Sequence, residues 1–218
     1  MTTGRSQVIF KSVNVYKREG ETREFTPRQK EIIGKAVGII AREGIQGLTI
    51  KNLAQAVHVT EAALYRHFKN KQAILSAIIE RFVVVSRVPP HPDPRGEALE
   101  IIELFLMDRF ETFSADPDLA KVMLSEEIFI HNEFMATKQR TVMHGHREFV
   151  VKAIETGQKS GRIRRDIDPA SLFRIIVGSM RLLVTQWSFN NFTFDLKREG
   201  RRLWQTIRSL IQTKPEEE

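Results

Sequence analysis

Apolar residues recur every three or four positions along most of this chain, and the points where that rhythm stops mark its elements. Ile32, Ile33, Ala36, Val37, Ile39 and Ile40 line one side of a helix that opens at Thr26-Pro27-Arg28-Gln29. Thr26 is its N-cap, Pro27 takes the first helical position, Gln29 completes a capping box, and Gly44 supplies the stop. Two shorter helices occupy residues 49–71. In the first, Thr49 caps and Ile50, Leu53, Ala54 and Val57 share a face; in the second, Thr60 caps and Leu64 and Phe68 point inward. Leu48 with Leu53, and Val59 with Leu64, have the spacing of hydrophobic staples. Only His58 and Val59 separate the first of these helices from the second cap, so the pair must cross steeply, as in a helix-turn-helix. The second helix of such a unit enters the major groove of DNA.

Ile74, Leu75, Ile78, Ile79 and Phe82 predict a fourth helix from about residue 70 or 71 to Val88, where the run of prolines at 89–94 breaks it. Helical periodicity then continues at 95–114, 117–131, 133–160, 168–190 and 197–213, with Pro117 and Pro169 near helix starts and Gly161 at a helix end. The expected fold is all-α: a three-helix head at 26–71 and a larger helical body at 72–218, preceded by an arm at 1–25. Arg5, Lys11, Lys17, Arg18 and Arg23 would let that arm follow phosphates or a minor groove; an inert extension fits it as well.

Charge sharpens the picture. Of 34 basic and 27 acidic side chains, residues 1–71 hold 13 and 6, and residues 72–218 hold 21 of each. The whole excess of +7 therefore lies in and before the head, where phosphate neutralisation would use it. Absence of cysteine excludes disulfides, thiolate metal sites and Cys nucleophiles. No signal-peptide core or bilayer-length apolar run is present, which implies a cytoplasmic protein with no membrane partner. There is no Gly-rich phosphate loop, nucleophile elbow or HExxH, so neither an enzyme nor a cofactor is expected. Glu127, His131, His144 and His146 invite a metal site, but His144 and His146 lie two apart and face different ways on a helix, so none is expected.

Residues 26–88 resemble the head of TetR-family (tetracycline-repressor-like) transcriptional regulators. The resemblance rests on GIQGLTIKNLAQAV, VTEAALYRHFKNK and QAILSAIIERF, above all on Leu64-Tyr65-x-His67-Phe68-x-x-Lys71. In the body, Gly161-Arg162-Ile163, Asp166-Ile167-Asp168-Pro169 and the apolar helix ending at Trp187 match more loosely. His58 stands where a glycine is common before the turn; histidine reaches the left-handed region at some cost. The resemblance implies phosphate contacts from Thr49 and Lys51, base-edge contacts from Thr60, Glu61, Ala62 and Ala63, and a phosphate clamp by Tyr65, His67 and Lys71. Arg66 is suited to phosphate or guanine, and Glu61 to a cytosine amino group.

The helix at 168–190 is apolar on nearly every side and so reads as buried all round. Together with the last helix it can form half of a four-helix interface between two copies, which is how the family dimerises; Phe173, Ile176, Met180, Leu203, Ile207 and Leu210 are the candidates. A monomeric core is the plainer alternative. Phe105, Phe110, Met123, Phe129, Met143 and Phe149 suit the lining of a small-molecule effector pocket, with ordinary core as the competing account for each. The reading that follows is a dimeric, sequence-specific repressor on a palindromic operator, released by an apolar or amphipathic effector. A nonspecific DNA binder, or a small-molecule-binding protein with a vestigial head, remains open.

Overall fold

The computed structural model describes residues 24–85, 98–130 and 132–213. The N-terminal arm up to residue 23, the proline-rich break and His131 lie outside the described residues, as does the expected end of the fourth helix at Val88.

The head forms from local signals. Helix α1 (Pro27–Gly47) begins with the expected capping box: the Gln29 N–H donates to the Thr26 hydroxyl at 3.2 Å, and the Thr26 N–H donates to Gln29 Oε1 at 3.1 Å. Gly44, at φ 71°, kinks it near its end. Helices α2 (Ile50–Ala56) and α3 (Glu61–Tyr65) start at Thr49 and Thr60, whose hydroxyls accept from the Asn52 and Ala63 N–H groups. His58 takes a left-handed φ of 54° in the turn between them. Ile32, Ile33, Leu53, Leu64, Phe68 and Ile74 close over one another with almost no exposure. Each such side chain contributes about 1.5–3 kcal/mol on burial, and burial rather than propensity holds helices this short.

Helix α4 (Lys71–Val85) leaves the head and enters the body, where the Phe82 ring stacks on Phe113 with centroids 5.8 Å apart. Around it lie α5 (Ala98–Ala115), α6 (Pro117–Leu124), α7 (Glu126–Ile130), α8 (Glu133–Lys159), α9 (Pro169–Phe189) and α10 (Leu196–Ile211). All regular elements among the described residues are helices; an isolated bridge between Ile163 and Gln212 ties the α8–α9 connection to the end of α10. Helix α1 also packs on α6, so head and body meet at two places. No helix among the described residues is long and apolar enough to cross a membrane.

Two expectations need correction. The helix expected at 117–131 is two helices, because Ser125 turns out of helical geometry (ψ 113°) and its hydroxyl accepts from the Ile128 N–H at 3.5 Å, a local bond that competes with the helix. Helix α9 is not buried all round: Ile175, Leu182 and Phe189 are 46%, 60% and 82% exposed. The elements packed against it cover only its other side, leaving one stripe bare.

Candidate nucleic-acid interface and body cavity

Helix α3 is short, so Leu64 within it and Phe68 just after it dictate what faces out. Leu64 and Phe68 are buried, which turns Glu61, Ala62, Tyr65 and Arg66 to solvent, with Tyr65 48% exposed. Thr60 is exposed at the cap and Ala63 is half-buried. Thr49 and Lys51 are exposed at the start of α2. The turn is braced from α1: Arg28 Nη2 donates to the Val57 carbonyl at 2.8 Å, and Gln29 Nε2 donates to the His67 carbonyl at 3.1 Å. These two bonds hold the C-terminal ends of α2 and α3 against α1. His67 and Lys71 are half-buried; Lys71 Nζ donates to the Ile45 carbonyl at 3.4 Å and so keeps its charge close to the head. Lys69, exposed between them, was passed over in the sequence reading although its charge and position were plain.

The body holds a half-open cavity of about 30 Å³ among α4, α5, α6, α8 and α9. Of the expected lining, Phe105, Met123 and Met143 border it. Phe149 stands behind Phe105, ring centroids 6.1 Å apart. Phe110 and Phe129 do not border it. Phe110 instead packs on Gly200 of α10, so close that an added Cβ would sit 2.4 Å from its ring. Phe129 packs against the core from α7.

The sequence reading missed the polar members of this wall: Arg109, Gln139 and His146. Arg109 is 1% exposed, its Nη2 donating to Asp108 Oδ2 at 2.7 Å and its guanidinium carbon 5.3 Å and 5.4 Å from the Phe82 and Phe105 ring centroids. His146 Nε2 lies 3.5 Å from Arg109 Nη1. Arginine only donates, so that nitrogen presents its lone pair and Nδ1 carries the proton. Burial, reinforced by the Arg109 cation, pushes the imidazole pKa down to about 3. His144, by contrast, is exposed, 3.4 Å from Glu148. Among the described residues no three metal-ligating side chains converge. A second, more polar cleft of about 300 Å³ lies between the end of α1 and the α6–α7 corner, bordered by Glu43, Gln46, Lys121 and Glu127.

The candidate dimer residues divide. Ile176, Met180 and Ile207 are buried inside their own chain. Leu210 is 58% exposed, and Phe173 and Leu203 are half-buried. Helix α9 presents Ile175, Leu182 and Phe189 seven residues apart, and Leu203 and Leu210 repeat that spacing on α10. A seven-residue repeat keeps one seam facing a neighbouring helix.

Comparison with known proteins bears on both halves. The family model for bacterial regulatory proteins of the tetR family matches residues 32–78, and the model for the C-terminal region of YsiA-like proteins matches residues 82–211. The chain is 24% identical over 172 residues to the fatty acid metabolism regulator protein of Bacillus subtilis, covering 78% of this chain and 88% of that one. It is 23% identical over 186 residues to the nucleoid occlusion factor SlmA of Glaesserella parasuis, covering 84% and 92%. The crystal structure of the transcriptional regulator FadR from Bacillus subtilis in complex with stearoyl-CoA superposes with a TM-score of 0.70 at 24% identity, over 83% of this chain and 97% of that one. The braced helix-turn-helix and the helical body behind it carry these matches over nearly the whole described chain, and the protein belongs to the TetR family of DNA-binding transcriptional regulators.

Proposed function

We propose that the protein works as a homodimeric repressor whose grip on a palindromic operator is loosened by an effector of the fatty-acyl class entering the body cavity. One observation carries this reading: α4 has Lys71 at the head and Phe82 in the cavity wall. Eleven residues of helix place them about 16 Å apart on one rod. A cavity of about 30 Å³ has room for roughly one water molecule, so a larger guest enters only by moving its walls. Displacing Phe82 moves α4, and with it the head. The effector then favours whichever head spacing mismatches the operator, by its difference in affinity for the two states.

In the head, residues 26–71 serve as the reading unit. Thr60, Glu61, Ala62 and Ala63 approach base edges, Arg66 takes phosphate or guanine, and Thr49, Lys51, Tyr65, His67 and Lys71 hold the backbone. Twofold pairing through Ile175, Leu182, Phe189 and Leu210 brings two heads to successive major grooves, about 34 Å apart. The fatty-acyl class is supported by likeness to the Bacillus subtilis regulator bound to stearoyl-CoA. A chromosome-associated DNA binder is the second reading, favoured by the match to a nucleoid occlusion factor.

The test is to titrate stearoyl-CoA into a complex of the full chain with DNA selected from a random pool, reading release by fluorescence anisotropy. Release by wild type, with release lost in Phe82→Ala while DNA binding persists, supports the α4 coupling. Release undiminished in Phe82→Ala contradicts it.

A further inference from the structure

Gln139 lies on α8 and borders the body cavity, whose other walls are largely phenylalanine, methionine and valine. Its amide orientation is assigned by one neighbour: Nε2 donates to the Met123 carbonyl on α6 at 3.4 Å, which leaves Oε1 as the free end of the group. That oxygen is shielded from solvent and has no hydrogen-bond partner among the described residues. A glutamine retained only to tie α8 to α6 would need its nitrogen alone. Burying the oxygen without a donor works against the fold, and such an atom calls for an explanation. Of the other polar groups that border the cavity, Arg109 is engaged with Asp108 and His146 with Arg109, and Arg181 adds a second guanidinium.

We propose that Gln139 is a specificity-determining residue of the effector cavity, its side-chain carbonyl receiving a hydrogen bond from an N–H or O–H group carried on an otherwise apolar effector. This rests on the cavity being the effector site, and it narrows the fatty-acyl class: an acyl chain whose head group carries an amide N–H or a hydroxyl, as that of stearoyl-CoA does, qualifies, whereas a plain ester or hydrocarbon does not. Sites built around a buried polar group discriminate strongly against analogues that leave it unpaired.

The experiment uses the full chain and two probes of equal chain length, decanamide, which has N–H donors, and methyl decanoate, which has none. Binding is measured calorimetrically for wild type, Gln139→Met and Val177→Phe, with Tm recorded for each. Wild type is expected to bind the amide at least about tenfold more tightly than the ester. In Gln139→Met the amide should weaken until the two agree within about twofold, ester affinity being no lower than in wild type. Val177→Phe, which fills the cavity, should weaken both. Equal wild-type affinities, or a preference that survives Gln139→Met, overturn the role of Gln139 while leaving the cavity as effector site. Indifference of both probes to Val177→Phe, or no binding of either to wild type, overturns both.

Discussion

Arg81 of α4 passes over Gly34 of α1 and places Nη2 2.8 Å from Asp116 Oδ2, while the other oxygen of Asp116 caps α6 by accepting from the Leu119 N–H at 3.0 Å. One carboxylate thus joins the helix that leaves the head to the helix on which α1 rests. Asp116→Ala removes both links and is expected to lower stability by about 1–2 kcal/mol, most of it from the lost cap. Asp116→Asn keeps a capping oxygen and should cost under about 1 kcal/mol. Chemical denaturation of the two variants beside wild type checks the ordering.

The phosphate clamp has a signature in salt. Lys71→Ala is expected to weaken binding about equally on all DNA sequences and to reduce the slope of log K against log salt by about 1. Tyr65→Phe, which removes a neutral donor, should weaken binding with little change of slope. Glu61→Ala should instead alter preference at one base position, by about 1–3 kcal/mol. Anisotropy titrations at several salt concentrations separate these effects.

Leu182 sits at the centre of the bare α9 stripe, between Ile175 and Phe189. An arginine there places an unpaired charge in the proposed seam, and such a change on an exposed residue should leave the isolated fold intact. Leu182→Arg is expected to sediment as a monomer and to lose most of its operator affinity, since one head covers a single half-site. A variant that sediments as a dimer would move the interface elsewhere.

His146 makes the fold sensitive to acid. Its pKa lies near 3 in the folded chain, below the 6.5 of an unburied imidazole, so the unfolded chain binds the extra proton first. Its contribution is intact above about pH 6.5 and declines as pH falls from there toward 3, by at most about 1.4 kcal/mol per unit. Relative to His146→Gln, wild type should therefore lose about 2 kcal/mol more between pH 7 and pH 5. Urea midpoints at the two pH values measure it.

Most of the head was legible from sequence because its determinants are local. The Thr26–Gln29 capping box, the Thr49 and Thr60 caps and the left-handed His58 turn each depend on a few neighbouring residues, and each is found. In the body the decisive information is long-range. Helix α9 is apolar on nearly every side, so periodicity could not separate Ile176 and Met180, which the chain buries, from Ile175 and Leu182, which it leaves bare. Arg109, Gln139 and His146 look like members of a solvated face in the sequence; only packing of α5 against α8 turns them inward. The packing of Phe110 is hidden in the same way, since Gly200, against which it lies, is ninety positions further on.

The central claim is that α3, presented twice by a symmetric dimer, reads DNA. Selection of bound duplexes from a random pool by the full-length protein at fixed salt tests it most directly. The expected result is an enriched inverted repeat with half-sites centred about one helical turn apart, lost for Leu182→Arg. A pool that remains random, or one enriched in a lone unrepeated motif, would contradict it.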